Sequence, residues 1–141
     1  MAHTFAVCTK CESINKLDSS KALQRTPNCG KCGHALPMHG LASDISAAGL
    51  KKLLAKSDQP VIVDFWASWC GPCQAYAPQF ESASKHLQNA VFVKINTETE
   101  QQLSAELGVR GIPTTIVFKN GREVRRQPGV IPEAAIPQLL T

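Results

Sequence analysis

The sequence predicts an α/β domain with a mixed central sheet flanked by helices, preceded by a small N-terminal module with four cysteines. Two observations carry the domain prediction: apolar, β-branched runs alternate with helical patterns beyond residue 41, and a strong hairpin signal follows them. The module is indicated by four of the six cysteines lying within residues 1–40. Because Pro37 and Gly40 interrupt any helical period, we expect a linker there and divide the chain into 1–40 and 41–141.

The first half of the larger domain has the pattern of a crossover unit. A helix capped by Ser43 or Asp44 is expected to end before Asp58. Strand and helix patterns then alternate along the chain. The predicted elements are a strand at 61–67, a helix at 72–87 that Pro78 should kink, a strand at 91–95 and a helix at 98–107. Strands alternating with helices predict a parallel core.

The last third of the chain predicts a different connection. Strands at 114–119 and 121–127 flank Asn120-Gly121, a pair of residues typical of a tight hairpin turn. The sheet should therefore end in an antiparallel pair, which makes it mixed. A final helix at 132–140 is expected to cover one face.

Composition excludes several classes of protein. The chain has 141 residues, of which 43% are hydrophobic and 18% charged, as expected of an ordinary globular protein. No apolar run approaches the roughly 20 residues that span a bilayer, and no secretion signal is visible, so we expect a cytoplasmic monomer without a membrane partner. The net charge of +4 lacks the dense basic stripe of nucleic-acid binders, and no nucleic-acid partner is expected.

The six cysteines form three C-x-x-C pairs, and the lack of an export signal argues against structural disulfides. The first two pairs, Cys8 with Cys11 and Cys29 with Cys32, have the separation typical of a four-cysteine zinc site. One structural Zn²⁺ would order a segment that has few large apolar side chains. Two alternatives stay open: four ordinary thiols in a disordered arm, or His34 replacing one cysteine ligand.

The third pair, Cys70 and Cys73, follows an apolar strand at an expected helix start. A helix N-terminus stabilises a thiolate, so Cys70 is predicted to be an exposed nucleophile with a lowered pKa. Cys73 lies one helical turn on, where it can attack the mixed disulfide that Cys70 forms. A metal-binding pair is the alternative, but Trp69 before the motif and Pro72 within it favour redox chemistry.

Residues 41–141 resemble the thioredoxin family, and the whole chain is similar to the zinc-binding thioredoxin 2 type of bacteria. The resemblance rests on several motifs taken together: Trp69-Cys70-Gly71-Pro72-Cys73, Asp64, Trp66, Lys94, Gly111-Ile112-Pro113-Thr114, Asn120-Gly121 and Gly129. It implies a thioredoxin fold, a protein-disulfide reductase with no bound organic redox cofactor, and renewal of the dithiol by thioredoxin reductase. Ser68 and Gln74 depart from the family pattern, which leaves partner preference open.

Asp64 stands inside an apolar strand where both faces would be covered. Burial without a partner raises a carboxyl pKa, so Asp64 is predicted to accept the proton of Cys73. The alternative is a buried acid satisfied by Lys94 and without a chemical role. Lys94 either tunes Asp64 or reaches the surface at the strand end.

The Ile112-Pro113 bond resembles the cis proline of the family, beside the active-site cysteines. Its backbone would then pair with an extended substrate segment and accept many sequences, whereas a trans proline would only start the next strand. Trp69, Ile112 and Gly129 are predicted to form an apolar docking rim for oxidised proteins. The alternative function is a binding module, in which the N-terminal zinc module binds nucleic acid or a protein and the larger domain serves as a scaffold.

Overall fold

The computed structural model describes residues 3–18, 26–36, 42–87 and 89–141. The predicted linker residues Pro37 and Gly40, and the domain boundary expected near residue 40, lie outside the described residues.

The N-terminal module is a hairpin followed by a turn. Strand β1, His3–Val7, pairs antiparallel with β2, Ile14–Asp18, and a single bridge joins Asn28 to Ala35. Its own buried cluster consists of Cys8, Cys29 and Leu36. This apolar cluster is small for a segment whose ordering costs conformational entropy.

The larger domain is built on a five-stranded sheet in the order β3-β5-β4-β6-β7. The strands are β3 (Ser43–Asp44), β4 (Val61–Trp66), β5 (Val91–Asn96), β6 (Thr114–Lys119) and β7 (Arg122–Pro128). Strands β3 and β4 run parallel to β5, whereas β6 pairs antiparallel with both β4 and β7. The mixed sheet predicted from sequence is confirmed, with a hairpin at its end.

Helices cover both faces of this sheet. They are α1 (Ala47–Lys56), α2 (Gly71–His86), α3 (Gln101–Glu106) and a 3-10 helix (Glu133–Leu140). Val61, Val63 and Phe65 of β4 pack in one core with α1 and α3, while Ile62 packs in a second core with α2 and the 3-10 helix. A strand covered on both faces is apolar at nearly every position, which explains its uninterrupted β-branched run.

The predicted start of α1 is wrong. Ser43 and Asp44 do not cap the helix, because they are extended and pair with Val93 and Lys94 of β5. Ser46 is the cap instead, and its hydroxyl accepts a hydrogen bond of 3.0 Å from the amide of Gly49. The short edge strand therefore takes residues that local sequence assigns to a cap.

Two later helices also differ from their predicted form. Helix α3 begins three residues after the expected Glu98, whose amide donates to the Asn96 side chain at 2.8 Å in a turn. The last helix, expected at 132–140, is present as a 3-10 helix that contains Pro137. Helix α2 continues through Pro78 without a break, and its kink stays a prediction.

The N-terminal hairpin packs on helix α1. Val7 belongs to the same buried cluster as Ile45 and Leu50, and a side chain at Gly49 would lie 3.2 Å from a Val7 methyl. The carboxylate of Glu12 accepts a hydrogen bond from the hydroxyl of Ser46, at the start of α1. The module thus lies against the larger domain at a helix N-terminus. Within the described ranges, no helix is both long and apolar enough to cross a bilayer.

Candidate active site and four-cysteine cluster

The Cys70/Cys73 pair lies at the connection between the central strand β4 and helix α2. Strand β4 ends at Trp66, a short turn follows, and Cys70 is the N-cap of α2 with extended backbone angles. The amide of Cys73 donates to the Cys70 sulfur at 3.1 Å, so a free amide of the first helical turn points at this atom. Pro72 lies in the same turn, where its missing amide proton costs no hydrogen bond.

The two sulfurs are joined in a disulfide, with the Cα atoms 5.3 Å apart. The expectation of an exposed Cys70 is wrong for this oxidised form, since only 4% of Cys70 and 3% of Cys73 are accessible. The Cys70 sulfur is covered because it is bonded to its neighbour and lies 3.6 Å from the carbonyl oxygen of Ile112. Gly71 and Pro72 beside it are exposed, so the pair lies just beneath the surface and outside the two main cores.

The loop that precedes β6 faces the disulfide. The Ile112-Pro113 bond is cis, and Ile112 packs in one small cluster with the two cysteines. The amide of Gly129 donates to the Pro113 carbonyl at 2.8 Å, and its φ of +85° favours glycine. Trp69 is 73% exposed, which is exceptional for so large an apolar side chain.

Asp64 is fully buried in β4, and neither of its carboxylate oxygens has a hydrogen-bond partner among the residues that the structure describes. Burial raises the pKa of Asp64 to about 7, an effect that Lys94 opposes and Asp44 reinforces. Lys94 therefore does not satisfy Asp64 through a hydrogen bond, and the chemical role of the acid stays a prediction. A carboxyl in this state is suited to taking up and releasing a proton near neutral pH.

Lys94 is the Cα partner of Asp64 across the β4-β5 pair, but its ammonium turns elsewhere. It lies over the indole of Trp66, with Nζ 5.1 Å from the ring centroid. A cation held against an aromatic face is partly satisfied there. The ammonium influences Asp64 through space, without a hydrogen bond to it.

The structure adds polar partners that sequence reasoning missed. The Ser68 hydroxyl donates to the Glu98 carboxylate at 2.9 Å, and the Gln74 amide donates to the Ser68 carbonyl at 3.1 Å. These contacts brace the turn that carries Trp69. Asp44 is a further missed residue, since its carboxylate accepts a hydrogen bond from the Trp66 indole at 2.7 Å. Only the departure of Ser68 and Gln74 from the family pattern pointed toward any of these residues.

Four cysteines converge in the N-terminal module. The sulfurs of Cys8, Cys11, Cys29 and Cys32 all lie within 4.8 Å of one another. The Cys8 and Cys32 sulfurs are 3.6 Å apart and those of Cys11 and Cys29 are 3.7 Å apart. Ligands at zinc-sulfur distances of about 2.3 Å would be about 3.8 Å apart in a tetrahedron, so the cluster fits a metal ion.

Hydrogen-bond donors surround these sulfurs. The amide of Cys11 points at the Cys8 sulfur at 3.5 Å, and the Lys31 amide and Asn15 side chain point at the Cys29 sulfur at 3.4 and 3.5 Å. A backbone donor at Cys32 is the main reason that the pKa of Cys29 falls to about 6. Donors of this kind favour thiolates, the form in which cysteine binds metals.

His34 lies outside the cluster of four close sulfurs. Its carbonyl accepts a hydrogen bond from the Cys29 amide at 2.8 Å, and all four cysteines supply sulfurs to the cluster without it. The alternative in which His34 replaces a cysteine is therefore unnecessary. Four thiols scattered in a disordered arm are likewise inconsistent with this geometry.

In this site a C-x-x-C pair lies between a strand and a helix N-terminus and faces an X-Pro loop. This arrangement is typical of a protein that exchanges a dithiol for a disulfide. Residues 41–141 match the family model described as Thioredoxin. The chain belongs to the thioredoxin family and is a protein-disulfide oxidoreductase.

Known proteins agree with this assignment. The chain is 37% identical over 135 residues to Thioredoxin C-3 of Corynebacterium nephridii, covering 95% of this chain and 91% of that protein. It is 36% identical over 100 residues to Thioredoxin 1 of a Nostoc species, covering 70% and 94% of the two chains. Among solved structures, a thioredoxin from Malassezia sympodialis shows 34% identity and a TM-score of 0.64, covering 71% of this chain and 91% of its own.

Proposed function

We propose that this protein reduces disulfides of other proteins through the Cys70/Cys73 couple. Cys70 attacks one sulfur of the substrate disulfide and forms a mixed disulfide, and the other substrate sulfur leaves as a thiolate. Cys73 then attacks the Cys70 sulfur, which releases the second substrate thiolate and leaves the protein disulfide. The observation that carries the proposal is the position of Cys70 as the cap of α2, with the Cys73 amide aimed at its sulfur.

Asp64 is proposed to accept the proton of Cys73 when that thiol becomes a nucleophile. Its support is the full burial of the carboxyl, the lack of hydrogen-bond partners among described residues, and the pKa of about 7. A base of this pKa takes up a proton at neutral pH and can return it. Lys94 is proposed to tune that pKa through space, and the sign of its effect is to lower it.

Substrates are proposed to dock on a rim formed by Trp69, Ile112 and Gly129. Trp69 supplies the exposed aromatic surface, and Ile112 presents its carbonyl beside the Cys70 sulfur. Gly71, Pro72 and Pro113 support this site by leaving the approach open and holding the facing loop. Main-chain contacts of this kind do not depend on substrate side chains, which suits a reductase of many oxidised proteins. A thioredoxin reductase is the proposed source of electrons.

The four-cysteine cluster is proposed to hold one structural Zn²⁺, as in the zinc-binding thioredoxin 2 type. Four sulfurs within 4.8 Å of one another would supply all four ligands of a zinc ion, which leaves no position for substrate. The alignment with Thioredoxin C-3 spans 135 residues, more than the 101 in residues 41–141, so that relative also matches part of the N-terminal module. We also propose the division of the chain near residue 40, because the match to the thioredoxin family model begins at residue 41.

A redox-responsive zinc site is the second candidate role, because the paired sulfurs at 3.6 and 3.7 Å lie close enough to form disulfides after oxidation. Zinc release measured against peroxide dose separates the two roles. Retention of zinc at doses that oxidise Cys70 supports a structural site, whereas release at lower doses supports a sensor.

The reductase proposal is tested by insulin reduction with the Cys70→Ser variant. Turnover is expected to fall by about a thousandfold or more, since a hydroxyl cannot replace the thiolate nucleophile. Cys32→Ser is the matched control, because it removes one sulfur from the other cluster and leaves the dithiol intact. Activity that survives in Cys70→Ser would reject Cys70 as the nucleophile.

A further inference from the structure

Asp44 lies outside the predicted site, yet it contacts the strand that carries Asp64. It is an exposed residue of the edge strand β3, and its carboxylate accepts a hydrogen bond of 2.7 Å from the indole nitrogen of Trp66. Trp66 ends β4 two residues after Asp64. Asp44 therefore fixes the orientation of an aromatic ring at the end of the strand on which the buried acid lies.

Lys94 stands between the two carboxyl groups. Strand register pairs its Cα with Asp44 on one side and with Asp64 on the other. The amide of Ile45 donates to the Lys94 carbonyl at 2.9 Å, which secures β3 at this register. The ammonium lies over the Trp66 ring, whose nitrogen is held by Asp44. Among described residues, no donor reaches either oxygen of Asp64.

We propose that Asp44 is a positioning residue that holds the Trp66 ring and the Lys94 ammonium together, and so keeps the Asp64 carboxyl unpaired. The inference rests on the proposed function in one respect: Asp64 matters to turnover only if it accepts the Cys73 proton. The negative charge of Asp44 attracts the Lys94 ammonium and so favours a position of that ammonium away from the buried Asp64 carboxyl.

The electrostatics agree with this arrangement. Burial is the main cause of the raised pKa of Asp64, Lys94 lowers it, and Asp44 raises it further. Strand β6 presents Thr115, which does not titrate, opposite Asp64. Helix α2 presents Tyr76, whose hydroxyl bonds to Thr115 at 2.8 Å and whose pKa burial raises to about 12. Cys73 of the same helix is held in the disulfide and does not titrate. Lys94 and Asp44 are therefore the charged groups that set the balance around Asp64 at neutral pH.

The test is a carboxyl-carbon NMR titration of Asp64 in the oxidised, full-length protein. Asp44→Asn keeps an oxygen for the indole but removes the charge, and the Asp64 midpoint should fall by roughly half a pH unit, as expected of one partly screened charge. Asp44→Ala also removes the hydrogen bond, so the Trp66 indole proton resonance should shift. Glu81→Gln, an exposed change of equal charge on α2, should leave the midpoint within about 0.1 unit.

An unchanged Asp64 midpoint in both Asp44 variants, or an equal shift in Glu81→Gln, would overturn the inference. The same variants assayed for insulin reduction against pH test the proposed function separately. A shifted midpoint with an unshifted pH profile would uphold the positioning role of Asp44 and reject Asp64 as the proton acceptor. A shift of both by the same amount supports the two together.

Discussion

The two cysteine clusters of this protein share the C-x-x-C spacing but differ in backbone setting. Cys70 and Cys73 open a helix of 16 residues, and the sulfurs bond to each other. The other two pairs lie in turns that match one another. The Glu12 amide donates to the Cys8 carbonyl at 2.8 Å, and the Gly33 amide donates to the Cys29 carbonyl at 2.9 Å.

Backbone setting, more than spacing, distinguishes the redox pair from the four cysteines that could bind a metal. A helix N-terminus offers free amides and a favourable potential to a single thiolate, whose partner lies one turn away. Two facing turns bring four sulfurs to one point, where a metal can neutralise them. Glu12 and Gly33 end the two turns with φ of 64° and 79°, a left-handed conformation common for glycine and rare for glutamate.

Metal removal should produce the largest difference between the two regions. A structural zinc site contributes about 10 kcal/mol or more to folding, and among its described residues the module's own buried cluster holds only Cys8, Cys29 and Leu36. After chelation, the amides of Cys8 and Cys29 should lose hydrogen-exchange protection while those of β4 keep theirs. Continued protection of the two amides in demonstrably metal-free protein would show that zinc does not order the module.

Replacing the second cysteine of each region should separate their chemistry. Cys73→Ser is expected to trap a covalent adduct between Cys70 and a substrate, with turnover reduced by about a thousandfold, because no thiol remains to resolve it. Cys11→Ser should lose metal and form no such adduct. Intact-protein mass spectrometry detects both results, and an adduct that resolves at the normal rate in Cys73→Ser would contradict the assignment.

Asp64 should make the stability of the larger domain depend on pH. Its folded pKa of about 7 lies above the ordinary value of 3.8, so the folded state binds the proton more tightly. The free energy of unfolding should be highest below about pH 4 and fall as the pH rises through 7, by at most about 4 kcal/mol. Urea unfolding of oxidised Asp64→Asn should lack this fall and show greater stability than the parent at about pH 8. Parallel curves for the two proteins would refute the shift.

Val7→Ala should have the smallest effect and probes the contact between the two regions. Val7 is 3% exposed and packs against the core beside α1, so its truncation is expected to cost about 2 kcal/mol. Val124→Ala on β7, where the side chain is 52% exposed, should change stability by less than about 0.5 kcal/mol. Equal losses in the two variants, measured by urea unfolding, would mean that the hairpin is not anchored through Val7.

Much of the fold followed from local pattern. The buried strand β4, the crossover helix after it and the hairpin at Asn120-Gly121 were predicted within one or two residues, because periodicity and turn chemistry are local properties. The start of α1 was not, since Ser43 and Asp44 pair with a strand that lies some 50 residues later. At these two residues, pairing with a distant strand overrides the local preference for a helix cap.

The residues of the candidate site likewise fall into some that the sequence predicted and others that only the structure revealed. Sequence supplied the cysteines and Asp64 through their residue types and settings, and it supplied the proline loop through the resemblance to the thioredoxin family. It could not supply Asp44 at the Trp66 indole or Glu98 at Ser68, which meet across 22 and 30 residues. It also predicted an exposed Cys70, whereas the oxidised pair is covered by its own bond and by the Ile112 loop.

Residue order specified which chemical groups this protein has and in which local settings they occur: three cysteine pairs, one after a buried strand and two near the N-terminus. Which of these groups meet was settled by folding. It brought four sulfurs within 4.8 Å of one another, left the Asp64 carboxyl without a donor among described residues, and turned Lys94 toward Trp66. The reason is that strand register and helix packing set distances between residues far apart in the chain, and no local pattern records those distances.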